Sequence, residues 1–382
     1  MSFEGQGAGL ASKRRVWLAF LSFSMVSLFA DMAYESIRSI IGAYLAESGA
    51  PAWEIPVLAL VEGLSYAGRL LGGFLASLSP AFLWPLVFLG YGSIYALISV
   101  PLVLPTLTPL LYAIERLGKG LRAPPRDTLL SLLTEHIGHG RGFGLHEVFD
   151  QIGAVSGPLL LATLIELVGF PQAIVYAVIP TTLAMVMLAI AYILYPYRVR
   201  EAYKWSKVGD IVAPYIVFTY AVYVFATAAL LAYWPAIAYK LEEAGFSVDS
   251  IALLYALAML VDAFAALAVG MIYDRLGLSV VVVPPFLATI SLLLIHNNVF
   301  AGVIVWGLAM GSVEVLFRAI PATLLPPRTR PIAYGVLGAS LAMGWALVSI
   351  AVQQPAILPL YIPPLLTVSA VSSAFLVRVR RA

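Results

Sequence analysis

Apolar runs of about twenty residues follow one another along this chain, and they decide the solvent in which it can fold. At 1.5 Å of rise per residue, about 20 apolar residues span the hydrocarbon of a bilayer. Twelve such runs are read at 16–45, 56–78, 82–103, 106–134, 142–167, 171–195, 211–240, 248–273, 278–297, 299–325, 332–353 and 356–377. Hydrophobic residues make up 62% of the 382 and charged residues 11%, where soluble domains carry about 25% charged. Backbone polar groups in lipid must be satisfied within the chain. The expected fold class is therefore an all-α membrane protein of twelve transmembrane helices.

The charges between the runs orient it. Lys13, Arg14 and Arg15 precede the first run, and Arg126 and Arg141 flank the turn after the fourth. Arg198, Arg200, Lys204 and Lys207 occupy the middle linker. Arg275, Arg328, Arg330, Arg378, Arg380 and Arg381 follow. Alternation of twelve spans puts all of them on one side. Lys240 stands on the other with Glu47, Glu54, Glu242, Glu243 and Asp249. Positive charge marks the cytoplasmic face, so both termini are expected there, in a cell membrane. The first run is read as a retained helix, since no small-residue cleavage site ends it. The net charge of +2 suggests no nucleic-acid partner, and the absence of cysteine excludes thiolate metal sites and thiol nucleophiles.

The chain also repeats itself. Gly73 and Gly270 lie 197 residues apart, and Arg122 and Arg318, each followed by alanine, lie 196 apart. Gly144 and Gly153 share a nine-residue spacing with Gly335 and Gly344. These offsets predict two six-helix bundles, 1–195 and 211–382, joined by a cytoplasmic linker at 196–210. Such repeats place a transported solute between the halves near the midplane.

Three segments resemble motifs of the major facilitator superfamily, and within it the twelve-helix drug:proton antiporter-like efflux permeases. Arg116-Leu-Gly-Lys-Gly is similar to the family's fourth-helix motif, whose arginine is associated with proton transfer. Gly153-Ala-Val-Ser-Gly157-Pro158 is similar to the fifth-helix motif of exporters, and Gly270 to Gly277 to a gating motif, with Asp274 and Arg275 as its charged pair. The resemblance implies export by antiport. Departures are Ser77 and Leu78 where the first-half gating motif has Asp-Arg, Tyr112 at the start of the fourth-helix motif, and Ser39 and Gly42 where related permeases have prolines.

Ionisable groups at membrane depth are costly and usually face a cavity or a partner. Asp31, Glu35 and Arg38 share one helix face, either a cavity face that takes up and releases a proton or an internal Glu35–Arg38 bridge with Asp31 near an interface. The fourth helix has Arg116 and Lys119 on one face, with Glu115 turned about 100° from Arg116. Asp31, Glu35, Arg116 and Asp150 form the candidate proton-coupling set. Arginine stays charged, so Arg116 is expected to hold one of those carboxylates until a proton releases it. The alternative is a static brace. Arg38, Glu62, Arg69, Glu115 and Lys119 are read as charge pairs around the cavity. His146 and Asp150, one turn apart, allow either a metal site or a bridge to Arg122 or Arg126 that closes the cytoplasmic end. Arg122, Arg126, His146, Glu147, Gly153, Gly157, Pro158, Asp274 and Arg275 form the candidate gating set. Gly153, Gly157 and Pro158 predict a close-packed, bent helix that permits rocking between the halves, the alternative being an ordinary small-residue seam of a membrane bundle.

The second half is poorer in charge, with Glu314 and Arg318 spaced as a self-contained bridge. Tyr220, Tyr223, Trp234, Asp262 and Glu314 are its candidate solute contacts. Tyr215, Phe225 and Tyr233 are further rings of the seventh span, which could line the cavity or face lipid. Proton chemistry is thus expected in the first half and apolar solute contact in the second. The expected activity is secondary transport by alternating access, with proton-coupled export of an organic or amphipathic solute by a monomer. A carrier of divalent metal or inorganic ions is the alternative. No cofactor or resident metal is expected. Neither HExxH, GxSxG nor DDxxD occurs, so an enzyme is not expected.

Overall fold

The computed structural model describes residues 13–47, 49, 57, 61–103, 105–197, 199–203 and 213–379. Glu54, Arg198, Lys204, Lys207, Arg380 and Arg381, most of the expected linker and the start of the second span lie outside them. The described residues are almost wholly helical, with no strand among them. In the first half we label α1 (Lys13–Glu47), α2 (Leu64–Leu78), α3 (Leu83–Gly92), α4 (Thr108–Thr134), α5 (His139–Val168) and α6 (Val178–Leu194). In the second we label α7 (Ala213–Leu230), α8 (Val248–Leu276), α9 (Val283–Asn297), α10 (Val299–Leu324), α11 (Arg330–Gln353) and α12 (Leu358–Val379).

Nine stretches among the described residues are long and apolar enough to cross a membrane. One of them, Ser250–Ile295, contains both α8 and α9. α2 is too short to qualify by its described part. α4 fails because it carries Glu115, Arg116, Lys119, Arg122, Arg126 and Asp127, and charge at that depth requires protein or water around it. Large apolar side chains such as Leu89, Leu159, Ile193, Phe218, Phe264 and Leu360 are exposed on the outside, where acyl chains supply the solvent.

The two bundles pack as a pair of equivalent seams. α2 meets α11 and α5 meets α8 across the halves, while α1 with α5, and α7 with α11, pack within them. The glycine spacing explains both kinds of contact. A Cβ on Gly144 would overlap the backbone of Ala266 in α8, and one on Gly335 would meet the Arg69 carbonyl in α2. Nine residues on, Gly153 lies against the Leu28 carbonyl of α1, and Gly344 against Phe225 and Ala228 of α7. The expectation that Gly153, Gly157 and Pro158 lie at a rocking interface between halves is therefore corrected. Gly157 packs on Met32 of α1, so both glycines belong to a seam within the first half, and Pro158 lies inside the continuous helix α5. Small residues act at both seams because they let helix backbones approach closely.

The end of the molecule that carries most of its arginines, here called the basic end, is closed. Gly140 of α5 abuts Gly270 of α8, and Gly73 of α2 abuts Pro331 of α11. The Asp274 carboxylate, at the end of α8, accepts from the backbone N–H groups of Gly140 (2.7 Å) and Arg141 (2.9 Å). Those are unsatisfied donors of the first turn of α5, where the helix dipole also favours an anion. Gly138 sits at φ 100°, and a Cβ there would strike the Asp274 carboxylate. On the other seam Ser77 cannot play the same part, since its hydroxyl turns back to the Phe74 carbonyl. Arg330 substitutes for it, donating to Ser131 Oγ (2.9 Å) and Glu135 Oε1 (3.1 Å).

Candidate functional site

Between the halves lies a cavity of about 540 Å³. Asp31, Glu35 and Arg38 of α1 project into it because their spacing keeps them on one face. α2 contributes Arg69, Glu62 lies on the turn before α2, and α4 contributes Arg116, Lys119, Arg122 and Arg126. α5 contributes Glu147, Asp150 and Gln151. The second half supplies Tyr233, Trp234, Tyr255, Asp262, Trp306, Glu314, Arg318 and Trp345. The wall from the first half is thus mostly charged, and that from the second mostly apolar, with aromatic rings prominent and Asp262, Glu314 and Arg318 as its charges.

The upper part of the cavity, away from the basic end, holds a chain of ion pairs. Arg38 donates to Glu35 Oε2 (3.2 Å) and Glu62 Oε1 (3.1 Å). Glu62 also accepts from the Tyr112 hydroxyl and from Arg116 (3.4 Å). Arg116 continues to Glu115 (Nε to Oε2, 2.6 Å) and to the Tyr34 hydroxyl (2.6 Å). Its guanidinium also lies 4.0 Å from the centre of the Tyr34 ring, and Lys119 Nζ lies 3.7 Å from it. The face of an aromatic ring attracts cations. Two expectations are corrected here. Arg116 does not pair with Asp31, Glu35 or Asp150; its partners are Glu115 and Glu62. Nor does Glu115 point away from Arg116, because a flexible side chain folds back where burial leaves it no water.

The floor of the cavity joins the halves. Arg318 of α10 makes an ion pair with Glu147 of α5 and another with Glu314 (2.9 Å), and its Nε lies 3.9 Å from Asp127 Oδ2 of α4. The bridge expected within α10 therefore exists, but it is not self-contained. Asp127 is also held by Arg126 (2.9 Å). Gln151 links Glu147 Oε1 (3.0 Å) to Asp262 Oδ2 (3.4 Å) across the seam.

The remaining candidates fall as follows. His146 is fully buried, with the hydroxyls of Ser24 and Ser27 3.2 and 3.3 Å from its two ring nitrogens. It bridges neither Arg122 nor Arg126, and lies 3.6 Å from Asp150. Arg122 donates instead to the Gly90 carbonyl (3.0 Å) and stacks over Tyr91. Among the described residues, Asp31, Arg69 and Lys119 line the cavity with no oppositely charged side chain within 4.0 Å, and no group of three metal-ligating residues occurs. Arg275 is exposed beside the Asp274 clamp.

Tyr220 and Tyr223, expected against solute, are buried away from the cavity. They stack on each other (5.6 Å, 11°) and donate to the carbonyls of Leu316 (2.7 Å) and Val281 (2.8 Å). A buried phenol needs an acceptor, and here those acceptors tie α7 to α10 and to the turn before α9. Tyr215 and Phe218 are 68% and 71% exposed and face outward. The second-half rings at the cavity are Tyr233, stacked on Trp345 (5.4 Å), and Trp234, against Tyr255 (4.9 Å) and Trp306 (5.4 Å), facing Tyr34 and Tyr66 of the first half. Tyr34, Gln151, Trp306, Trp345 and Arg330 were not singled out from the sequence for these roles. Tyr34 falls on the Asp31–Arg38 face and Gln151 one turn after Glu147, which were the available signals.

Residues 104–349 match the family profile described as Major Facilitator Superfamily. The chain is 33% identical over 360 residues to uncharacterized proteins of Mycobacterium tuberculosis and Mycobacterium bovis, covering 87% of this chain and 86% of theirs. Among solved structures it resembles the Escherichia coli fucose:proton symporter FucP (TM-score 0.64, 15% identity, 95% of this chain and 98% of that one). It also resembles a bacterial homologue of the iron transporter ferroportin in an outward-facing state (TM-score 0.61, 13% identity, 95% and 100%). At these identities the likeness is one of fold.

Proposed function

The chain belongs to the Major Facilitator Superfamily, and on that premise we propose a proton-coupled exporter of an organic, amphipathic solute. As a member of that superfamily it is a multi-pass membrane protein and a secondary transporter of small-molecule solutes. The observation that carries the finer reading is the cavity itself. It lies between two bundles whose basic ends are shut, with ionisable groups on one wall and aromatic rings on the other.

The arginine-rich end is cytoplasmic by the charge rule. Arg38 and Glu62 are 32% and 29% exposed, whereas Arg116 beneath them is 2% exposed. That gradient supports a cavity entered from the outside. A solute with a flat or apolar face suits Tyr233, Trp234 and Trp345, and its polar end suits Lys119 and Arg69. Asp31, without a cation in contact, is accessible to a proton arriving through the same opening. Loading and release then shift the balance between two poses of the halves. Export rests on the Gly153 to Pro158 segment and its similarity to the exporter motif.

The test is transport in proteoliposomes after a pH jump, with amphipathic amines, amphipathic acids and neutral aromatic solutes as probes. Solute movement against its gradient and opposite to the imposed proton gradient is expected. Flux that ignores the proton gradient would refute coupling. Solute that travels with the protons would refute export and favour symport.

A further inference from the structure

At the cavity floor, Arg318 stands between two carboxyl groups on opposite halves, and only one of them holds it. Glu147, on α5, is its partner across the seam. Asp262, on α8, belongs to the same half as Arg318. Gly311 of α10 packs on the Asp262 backbone and side chain, and Glu314 and Arg318 follow at three and seven residues, on the same helix face. Arg318 and Asp262 line the same cavity, and no ion pair joins them within 4.0 Å.

Asp262 has no surface exposure, and no cation contacts it. Its Oδ2 accepts from Gln151 at 3.4 Å, and its Oδ1 has no partner. The buried Arg318 Nε is also without a hydrogen bond. An ionised carboxylate in that setting would be an uncompensated buried charge, so the setting suits a carboxyl that carries its proton. The neighbouring charged groups are Glu147 and Asp150 from α5 and Glu314 and Arg318 from α10.

We propose that Arg318 exchanges partners between Glu147 and Asp262, and that one proton moves the opposite way. In the pose seen here Asp262 holds the proton and Glu147 is ionised against Arg318. The Asp262 O–H bond breaks and an O–H bond forms on Glu147, directly or through a water in the cavity. Arg318 then pairs with ionised Asp262 on its own half. The proton only changes owner, and Glu314 and Asp127 stay beside Arg318 in both poses, so the net charge of the floor is the same before and after. The first pose has an ion pair across the seam and holds the basic end shut. The second lacks that pair, so closure there rests on the Asp274 clamp, the Arg330–Glu135 bridge and the long Arg318–Asp127 contact alone, and the basic end parts more readily, with the proton on Glu147. Gln151, bonded to both carboxyls, keeps them adjacent.

This exchange rests on the proton-coupled reading above, and the experiment separates the two. The chain has no cysteine, so Leu78→Cys and Phe286→Cys can carry spin labels at exposed positions on opposite halves without other changes. Distances between the labels are read by pulsed electron resonance in nanodiscs, alongside proteoliposome flux. Glu147→Gln imitates the protonated partner and should lengthen the distance at every pH. Asp262→Asn removes the alternative partner and should hold the short distance at every pH. Both should lose gradient-driven flux, and Glu147→Asp should restore part of it. Folding is verified independently by gel filtration and thermal melting. If the two neutral variants shift the distance in the same direction, or neither shifts it, the exchange is refuted while proton-driven transport by the parent stands. If the parent is indifferent to the proton gradient, the functional reading fails, whatever the distances show.

Discussion

Replacing Asp274 with alanine should partly open the basic end. The carboxylate accepts two backbone N–H groups at 2.7 and 2.9 Å, on the first turn of a helix in the opposite half. Hydrogen bonds to a charged group contribute about 1.5–3 kcal/mol each. Water can replace the carboxylate here, because the site is at the surface, so a net loss of about 2 kcal/mol for both bonds is a conservative figure. Take a closed pose favoured by about 3 kcal/mol, within the usual few-kcal/mol gap between conformers. Its open fraction would rise from below about 1% to about 15%, since each 1.4 kcal/mol is a factor of about ten. Asp274→Asn keeps one acceptor oxygen and should fall between the two. Pulsed electron resonance between labels at Leu78→Cys and Phe286→Cys reads the populations directly. A distance distribution in the alanine variant that overlays the parent would refute the role of this clamp in holding the end shut.

Other outcomes follow from the same contacts. Gly144→Val should block closure at the α5–α8 seam and shift the label distance outward, because even a Cβ there meets the Ala266 backbone. Gly153→Val should cost stability without that shift, since its clash is with α1. Arg116→Ala leaves fully buried Glu115 without its cation and should destabilise the protein by about 3–5 kcal/mol in equilibrium unfolding. Asp31→Asn, which breaks no ion pair, should leave the melting temperature unchanged and reduce gradient-driven flux. Tyr220→Phe should cost about 1 kcal/mol through its bond to Leu316 and leave solute affinity alone, whereas Trp234→Ala should weaken binding of aromatic solutes.

The candidate site was legible in part, and the failures have a pattern. Spacing along one helix placed Asp31, Glu35 and Arg38 on a common face, and all three line the cavity. Membership of one apolar run grouped Tyr220 and Tyr223 with Trp234, although the first two serve the core. Both positions are aromatic on an apolar helix, and nothing local distinguishes a ring that faces solute from one that donates to a neighbouring carbonyl. Gly153 and Gly157 were recognisable as close-packing residues, but the helix they meet was not. Arg330 read as a topology charge because its partners, Ser131 and Glu135, lie about half a chain away.

By itself the sequence determined the lipid-solvated helices, the basic end and the doubled architecture. Those follow from run length, charge placement and offset, which are properties of local order along the chain. Only the tertiary structure decided which charges neutralise which. Arg318 and Glu147 are 171 residues apart, and Arg116 pairs with Glu115 and Glu62 rather than with Asp31, Glu35 or Asp150. In a medium of low dielectric such choices depend on separations of an ångström or two. Helix packing sets those separations, and periodicity does not encode them.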